Sequence, residues 1–277
     1  MSVSIAEFLS FAFVQKALIA GALIGAVTAV LGVFLVLKRL SLIGDSLSHV
    51  ALSGVALGLI TNTSPVFVAM PVVMASSLLV YKITQMSKIY SDSALGIVSA
   101  LGISLGLILA ALAGGFNIDL MAFLFGSILT VTWAELALAA ALALIIAVLI
   151  YVFYHDLTAL VFDENFAQTA GINVERLNIL LVLISAAVVV IAMKVVGIML
   201  VSAMIIVPPS AALLIAKNFK RAIMLACSFS VSSVIFGIYF AFLLNLPAGA
   251  VIIVLNLLIF AVCAGVKKYA ASKKTAA

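Results

Sequence analysis

The chain has 277 residues, 67% of them hydrophobic and 8% charged, with a formal charge of +5 and a mean hydropathy of +1.46. Soluble domains carry about a quarter charged residues, so this chain has too little polar surface to coat a water-soluble fold, and its solvent is lipid. Soluble enzymes and nucleic-acid-binding modules are excluded, because the basic excess belongs to cytoplasmic loops of a membrane protein. The opening MSVSIAEFLS has no basic n-region and no clear A-x-A site, so no removable signal peptide is expected.

A bilayer core about 30 Å thick takes roughly 20 apolar residues per helical crossing. Runs of that kind predict crossings at 11–37, 43–61, 65–84, 94–113, 134–154, 178–196, 198–216, 221–244 and 247–266. The expected fold is an all-α polytopic membrane protein with eight to nine crossings. Short polar stretches separate them (TNTSP, SKIYSDS, KNFKR, NLP), and only 155–177 is longer. With the N-terminus outside and the C-terminus inside, the cytoplasmic loops hold every Lys and Arg except Lys16 and Lys194, which satisfies the positive-inside rule. Residues 117–130 are too short to span and are expected as a surface or re-entrant segment, with Trp133 as an interfacial anchor. Gly21/Gly25, Gly54/Gly58 and Gly102/Gly106 form three GxxxG pairs, read as close helix packing within the bundle. Cys227 and Cys263 lie in apolar runs with no CxxC and read as small buried hydrophobes.

The second predicted crossing opens with SLIGDSLSHVALSG, which carries Asp45 and His49. Ionisable residues inside a membrane segment are costly and usually functional. At i and i+4 the two share one helical face. A carboxylate oxygen plus an imidazole nitrogen is half a shell for zinc, manganese or iron. Spacing alone fits equally a carboxylate favouring the helix N-terminus and a histidine bonded to a carbonyl. In the seventh crossing, VSAMIIVPPSAALL, Pro208 and Pro209 each lack an N–H, so a kink or break is expected there. Ser202 and Ser210 are candidates to meet freed groups, and the stretch reads as either a static kink or a hinge lining a path.

The loop 155–177 holds four of the nine acids, Asp156, Asp163, Glu164 and Glu175. Phe162, Phe166, Ala167 and Ala170 are spaced as one apolar stripe of a short amphipathic helix, with Asp163 and Glu164 near its start. An acidic polar face favours a protein partner over lipid headgroups, which attract basic faces. No GxxxxGK[ST] and no HExxH occurs, so active transport would draw on an external energy source. The remaining readings are a secondary transporter driven by protons or sodium, which wants more intramembrane ionisable groups, and a non-transporting scaffold.

Three blocks carry a family resemblance. KRLSLIGDSLSHVALSGVALG, DLTALVFDENFAQTAGI and GIMLVSAMIIVPPSAALLIA, in that order, resemble the ABC-3 family of integral membrane permeases, over about residues 10 to 266. The family pattern GDALSHAVLPG reads GDSLSHVALSG here, with Ser53 in place of a proline. The resemblance implies one transmembrane permease domain, 1–277, similar to the large-bundle permeases of the vitamin B12 type. It implies a bacterial importer of zinc, manganese or iron in the cytoplasmic membrane. Its expected partners are a second copy of itself, a cytoplasmic ATPase that hydrolyses ATP, an extracytoplasmic metal-binding protein and lipid, with no nucleic acid. The metal is cargo, and no resident cofactor is expected. Asp45 and His49 are implied to line the metal path. Asp156, Phe162, Asp163, Glu164 and Phe166 are implied as the ATPase-coupling segment, and Pro208, Pro209 and Ser202 are the gating candidates.

Overall fold

A computed structural model describes residues 5–86, 90–115, 120, 123, 124, 126 and 132–275. Among the described residues, twelve helices with both ends defined follow in chain order: α1 Ile5–Ser10, α2 Ala12–Leu37, α3 Ile43–Ile60, α4 Pro65–Met86, α5 Ser91–Leu112, α6 Trp133–Val152, α7 Tyr154–Phe162, α8 Glu164–Thr169, α9 Val174–Val195, α10 Ile198–Ile215, α11 Phe219–Leu244 and α12 Ala248–Thr275. Eight of them (α2–α6, α9, α11 and α12) are long and apolar enough to cross a membrane; α10 is shorter, its apolar part running over Leu200–Ile215. Every predicted crossing corresponds to one helix.

The polar punctuation does specific local work. Asn62 in TNTSP and Asn245 in NLP take left-handed backbone (φ 52° and 54°), a conformation that asparagine tolerates. Asn218 in KNFKR caps α11 by accepting from the Arg221 N–H at 2.8 Å. Thr132 and Glu135 close a reciprocal capping box at the start of α6.

The core is formed by α2, α3 and α9, whose apolar stretches are 61%, 72% and 72% buried, whereas α4, α5, α6 and α12 stay between 22% and 28%. Lipid supplies no hydrophobic drive between helices, so close backbone approach holds the bundle. All three GxxxG pairs contribute within the chain: Gly102 and Gly106 of α5 meet Val50, Leu52 and Ser53 of α3, Gly54 and Gly58 of α3 meet Ala69 and Pro65 of α4, and Gly25 meets Ser230 and Val234 of α11.

One expectation is corrected. The helix α10 does not break at Pro208 and Pro209; it runs through both. The missing N–H groups leave the Met204 and Ile205 carbonyls without their intrahelical donors. Gly32 of α2 packs so close that an added Cβ would lie 2.1 Å from the Ile205 oxygen, so a Cα–H of Gly32 points at that carbonyl. Such neighbours are how bundles in lipid tolerate intrahelical proline. The real break lies upstream, where Gly197 (φ 100°) turns the chain between α9 and α10.

Of 117–130, only Leu120, Phe123, Leu124 and Gly126 are described, so the choice between surface and re-entrant geometry lies outside the described residues. Leu120 and Leu124 are buried, and Gly126 lies against the Val196–Gly197 peptide. Near this end are the two basic residues that the loop count left out. Lys194 pairs with Glu135 at 2.5 Å and stands over the Phe123 ring, and Lys16 stands over the Trp133 ring. Glu135 is therefore partnered within the chain.

Candidate functional site

The site begins at a chain reversal. After α2, Arg39 adopts φ 60° and the Leu40 N–H donates back to the Leu35 carbonyl, which turns the chain from α2 towards α3. Gly44, at the start of α3, packs on Ser202 and Ile205 of α10. The same Ile205 faces Gly32, five residues before the end of α2. Gly44 and Gly32 thus meet the same residue of α10, and His49 lies one turn, about 6 Å, beyond Asp45 along α3.

The helix α3 packs against α4, α5, α9 and α10. Towards α5, Ser46 donates to the Leu95 carbonyl at 2.9 Å and Ser53 to the Gly102 carbonyl at 2.6 Å. Towards α4 lie Gly54 and Gly58, and towards α10 lies Gly44. Asp45 and His49 remain partly open, with side chains 48% and 29% exposed. Beyond His49, Leu52 and Ala56 are buried, so the opening does not run on along the helix. Ser53, where the family pattern has proline, spends its hydroxyl on α5 without disturbing α3.

His49 Nε2 and Asp45 Oδ2 are 3.6 Å apart. That exceeds hydrogen-bond length and is close to the spacing, about 3.4 Å, of two ligand atoms held about 2.1 Å from one tetrahedral ion. No group of three or more His, Cys, Asp or Glu converges among the described residues, so this chain offers two ligands.

The segment after α6 folds as two helices, not one. Asp163 takes extended backbone (φ −153°) between α7 and α8 and caps α8, its Oδ1 accepting from the Asn165 and Phe166 N–H groups at 3.0 Å each. The predicted stripe is split by this break: Phe162 and Phe166 point outward, 64% and 63% exposed, Ala170 is exposed, and Ala167 is fully buried. Phe162 touches the Phe219 ring edge-on at 5.5 Å, and Asp156 lies in the first turn of α7. Replacing Asp163 by Ala removes the cap and destabilises α8 by about 1 kcal/mol; faster amide exchange over 164–169 with α7 unchanged is the expected readout.

Glu164, its side chain half exposed, bridges two other helices. Its Oε2 meets Lys38 Nζ at 3.0 Å and its Oε1 accepts from Asn178 Nδ2 at 3.1 Å. Sequence reasoning missed this trio, because nothing in the spacing of positions 38, 164 and 178 announces a shared contact.

The profile of the ABC 3 transport family matches residues 10–267. The chain belongs to that family. It is an ABC-transporter permease subunit, a multi-pass protein of the bacterial cytoplasmic membrane, and a transport component rather than an enzyme. It is 35% identical to the manganese transport system membrane protein MntC of Listeria innocua over 252 residues, covering 91% of this chain and 90% of that one. To the high-affinity zinc uptake system membrane protein ZnuB of Haemophilus influenzae it is 27% identical over 251 residues, covering 90% and 96%. Among solved structures it is similar to PsaBC from Streptococcus pneumoniae in complex with Fab, with a TM-score of 0.84 and 33% identity over 94% of this chain and 95% of that chain. In the permease, Ser202 touches the opening of the site helix through Gly44, and Pro209 touches Gly32. The three gating candidates thus belong to the helix that positions the Asp45/His49 turn.

Proposed function

We propose that the permease carries a divalent transition metal ion, zinc, manganese or iron, into the cell by alternating access around Asp45 and His49, driven by ATP hydrolysis on a separate cytoplasmic subunit. The observation that carries this reading is the placement of a partly exposed carboxylate and imidazole 3.6 Å apart on a helix otherwise buried in the bundle. The relatives named for manganese and zinc transport support the cargo class. Two ligands from one chain hold an ion weakly, which suits passage; a second copy of the permease, or water, completes the shell. Carboxylate and imidazole accept all three metals, and selection among them depends on geometry and availability.

The exposed Phe162 and Phe166, set on either side of the Asp163 cap, are the surface offered to the ATPase, and Asp156 stands on the same segment. An extracytoplasmic metal-binding protein delivers the ion. Pro208, Pro209 and Ser202 act on the site through α10, as a helix that shifts against Gly32 and Gly44. An ion-driven secondary transporter fits less well. Among the described residues, Glu135 and Lys194 are paired with each other and so are not free to serve Asp45 and His49 as a relay.

The test is ATP-dependent uptake of radiolabelled manganese or zinc into proteoliposomes holding the permease and its co-purified ATPase. Uptake that needs ATP and the ATPase supports the reading. Uptake driven by a proton or sodium gradient without the ATPase contradicts it.

A further inference from the structure

We propose that Glu164 is a positioning residue, a two-sided latch that carries the motion of α8 to the turn from which the Asp45/His49 helix starts. The inference rests on the reading that 155–177 receives the ATPase stroke. Both carboxylate oxygens are committed inside the permease, one to Lys38 at 3.0 Å and one to Asn178 of α9 at 3.1 Å. Lys38 is the residue that closes α2, five positions before α3 begins, and its side chain is only 12% exposed. A cation so covered is strongly dependent on its one carboxylate. Pulling Glu164 therefore pulls the Lys38–Leu42 reversal, and with it Asp45.

The surroundings support a moving part. A cavity of about 800 Å³ lies between α8 and α4, lined by Tyr81, Gln85, Gln168 and Glu175 as well as Glu164 and Asn178. A second, of about 200 Å³, lies between the α2–α3 turn and α4, and includes Lys38, Ile43 and Ser91. Glu164 and Asn178 line both. Here the coupling segment and the site helix are joined by a charge pair with space on either side, so α8 has room to shift and Glu164 provides the connection.

The experiment measures metal moved per ATP hydrolysed in proteoliposomes, together with the amount of ATPase that co-purifies. Glu164→Gln keeps the size and the Asn178 bond but leaves Lys38 without its charge partner. It and Lys38→Met are expected to lower metal moved per ATP about tenfold with the ATPase still bound. The exchange Lys38→Glu with Glu164→Lys is expected to recover most of the ratio. A Lys38→Cys/Glu164→Cys pair, joined by a short bifunctional maleimide, is expected to regain coupling over its unjoined form. This second variant keeps the idea testable if the exchange disturbs folding. An unchanged ratio in Glu164→Gln, loss of the ATPase from that variant, or no gain on joining the cysteines overturns the latch. A parent complex that hydrolyses ATP without moving metal overturns the transport reading instead, whatever the variants do.

Discussion

Replacing Asp45 and His49 together by alanine is expected to lower metal uptake by at least about a hundredfold, since loss of a merely outer-shell partner already costs 10–100-fold at metal sites. The fold should hardly notice. Both side chains are partly exposed, and among the described residues the one ion pair either makes is with the other. Substitutions at such positions usually fall within about ±0.5 kcal/mol. The double variant should therefore match the parent in melting midpoint and in ATPase co-purification, and fail only in transport. A variant that carries metal at the parent rate removes the site assignment; one that no longer assembles shows that the pair is structural.

The second large effect belongs to Gly32→Ala. The new methyl would sit 2.1 Å from the Ile205 oxygen and 2.6 Å from Pro209 Cγ, with backbone on the receiving side. Neither α2 nor α10 can yield by rotating a side chain alone. Overpacking of this kind costs about 1–3 kcal/mol and occasionally more, and here the upper end is expected. A lowered melting midpoint in detergent, with reduced uptake because α10 also bears on Gly44, is the expected result. An unchanged midpoint would mean that the α2–α10 contact is looser than the structure has it.

Much of this was readable in advance for physical reasons. A charged pair in an apolar run is conspicuous because lipid penalises it, so Asp45 and His49 stood out from the sequence. Helix count followed from the width of the bilayer, and the turn residues Asn62, Asn218 and Asn245 sit in the polar breaks that marked the loops. Depth was not readable. Measured along the chain, Asp45 is close to Lys38 and Arg39, and the left-handed turn at Arg39, which redirects the chain before α3, has no signature of its own in the sequence. The proline pair misled for a related reason. Proline breaks a helix when its freed carbonyls have nowhere to go, and Gly32, more than 170 positions away in sequence, receives one of them. Glu164 looked like one more docking acid because periodicity describes a helix face and cannot show a partner from another helix.

The ABC-3 resemblance pointed to Asp45 and His49, and the geometry adds that both stay partly open on a helix otherwise buried among its neighbours. The most direct measurement is anomalous scattering from the permease–ATPase complex loaded with manganese or zinc. The account predicts a metal peak about 2.0–2.3 Å from His49 Nε2 and from an Asp45 carboxylate oxygen. A loaded complex with its intramembrane peak elsewhere, and none beside His49, would contradict it.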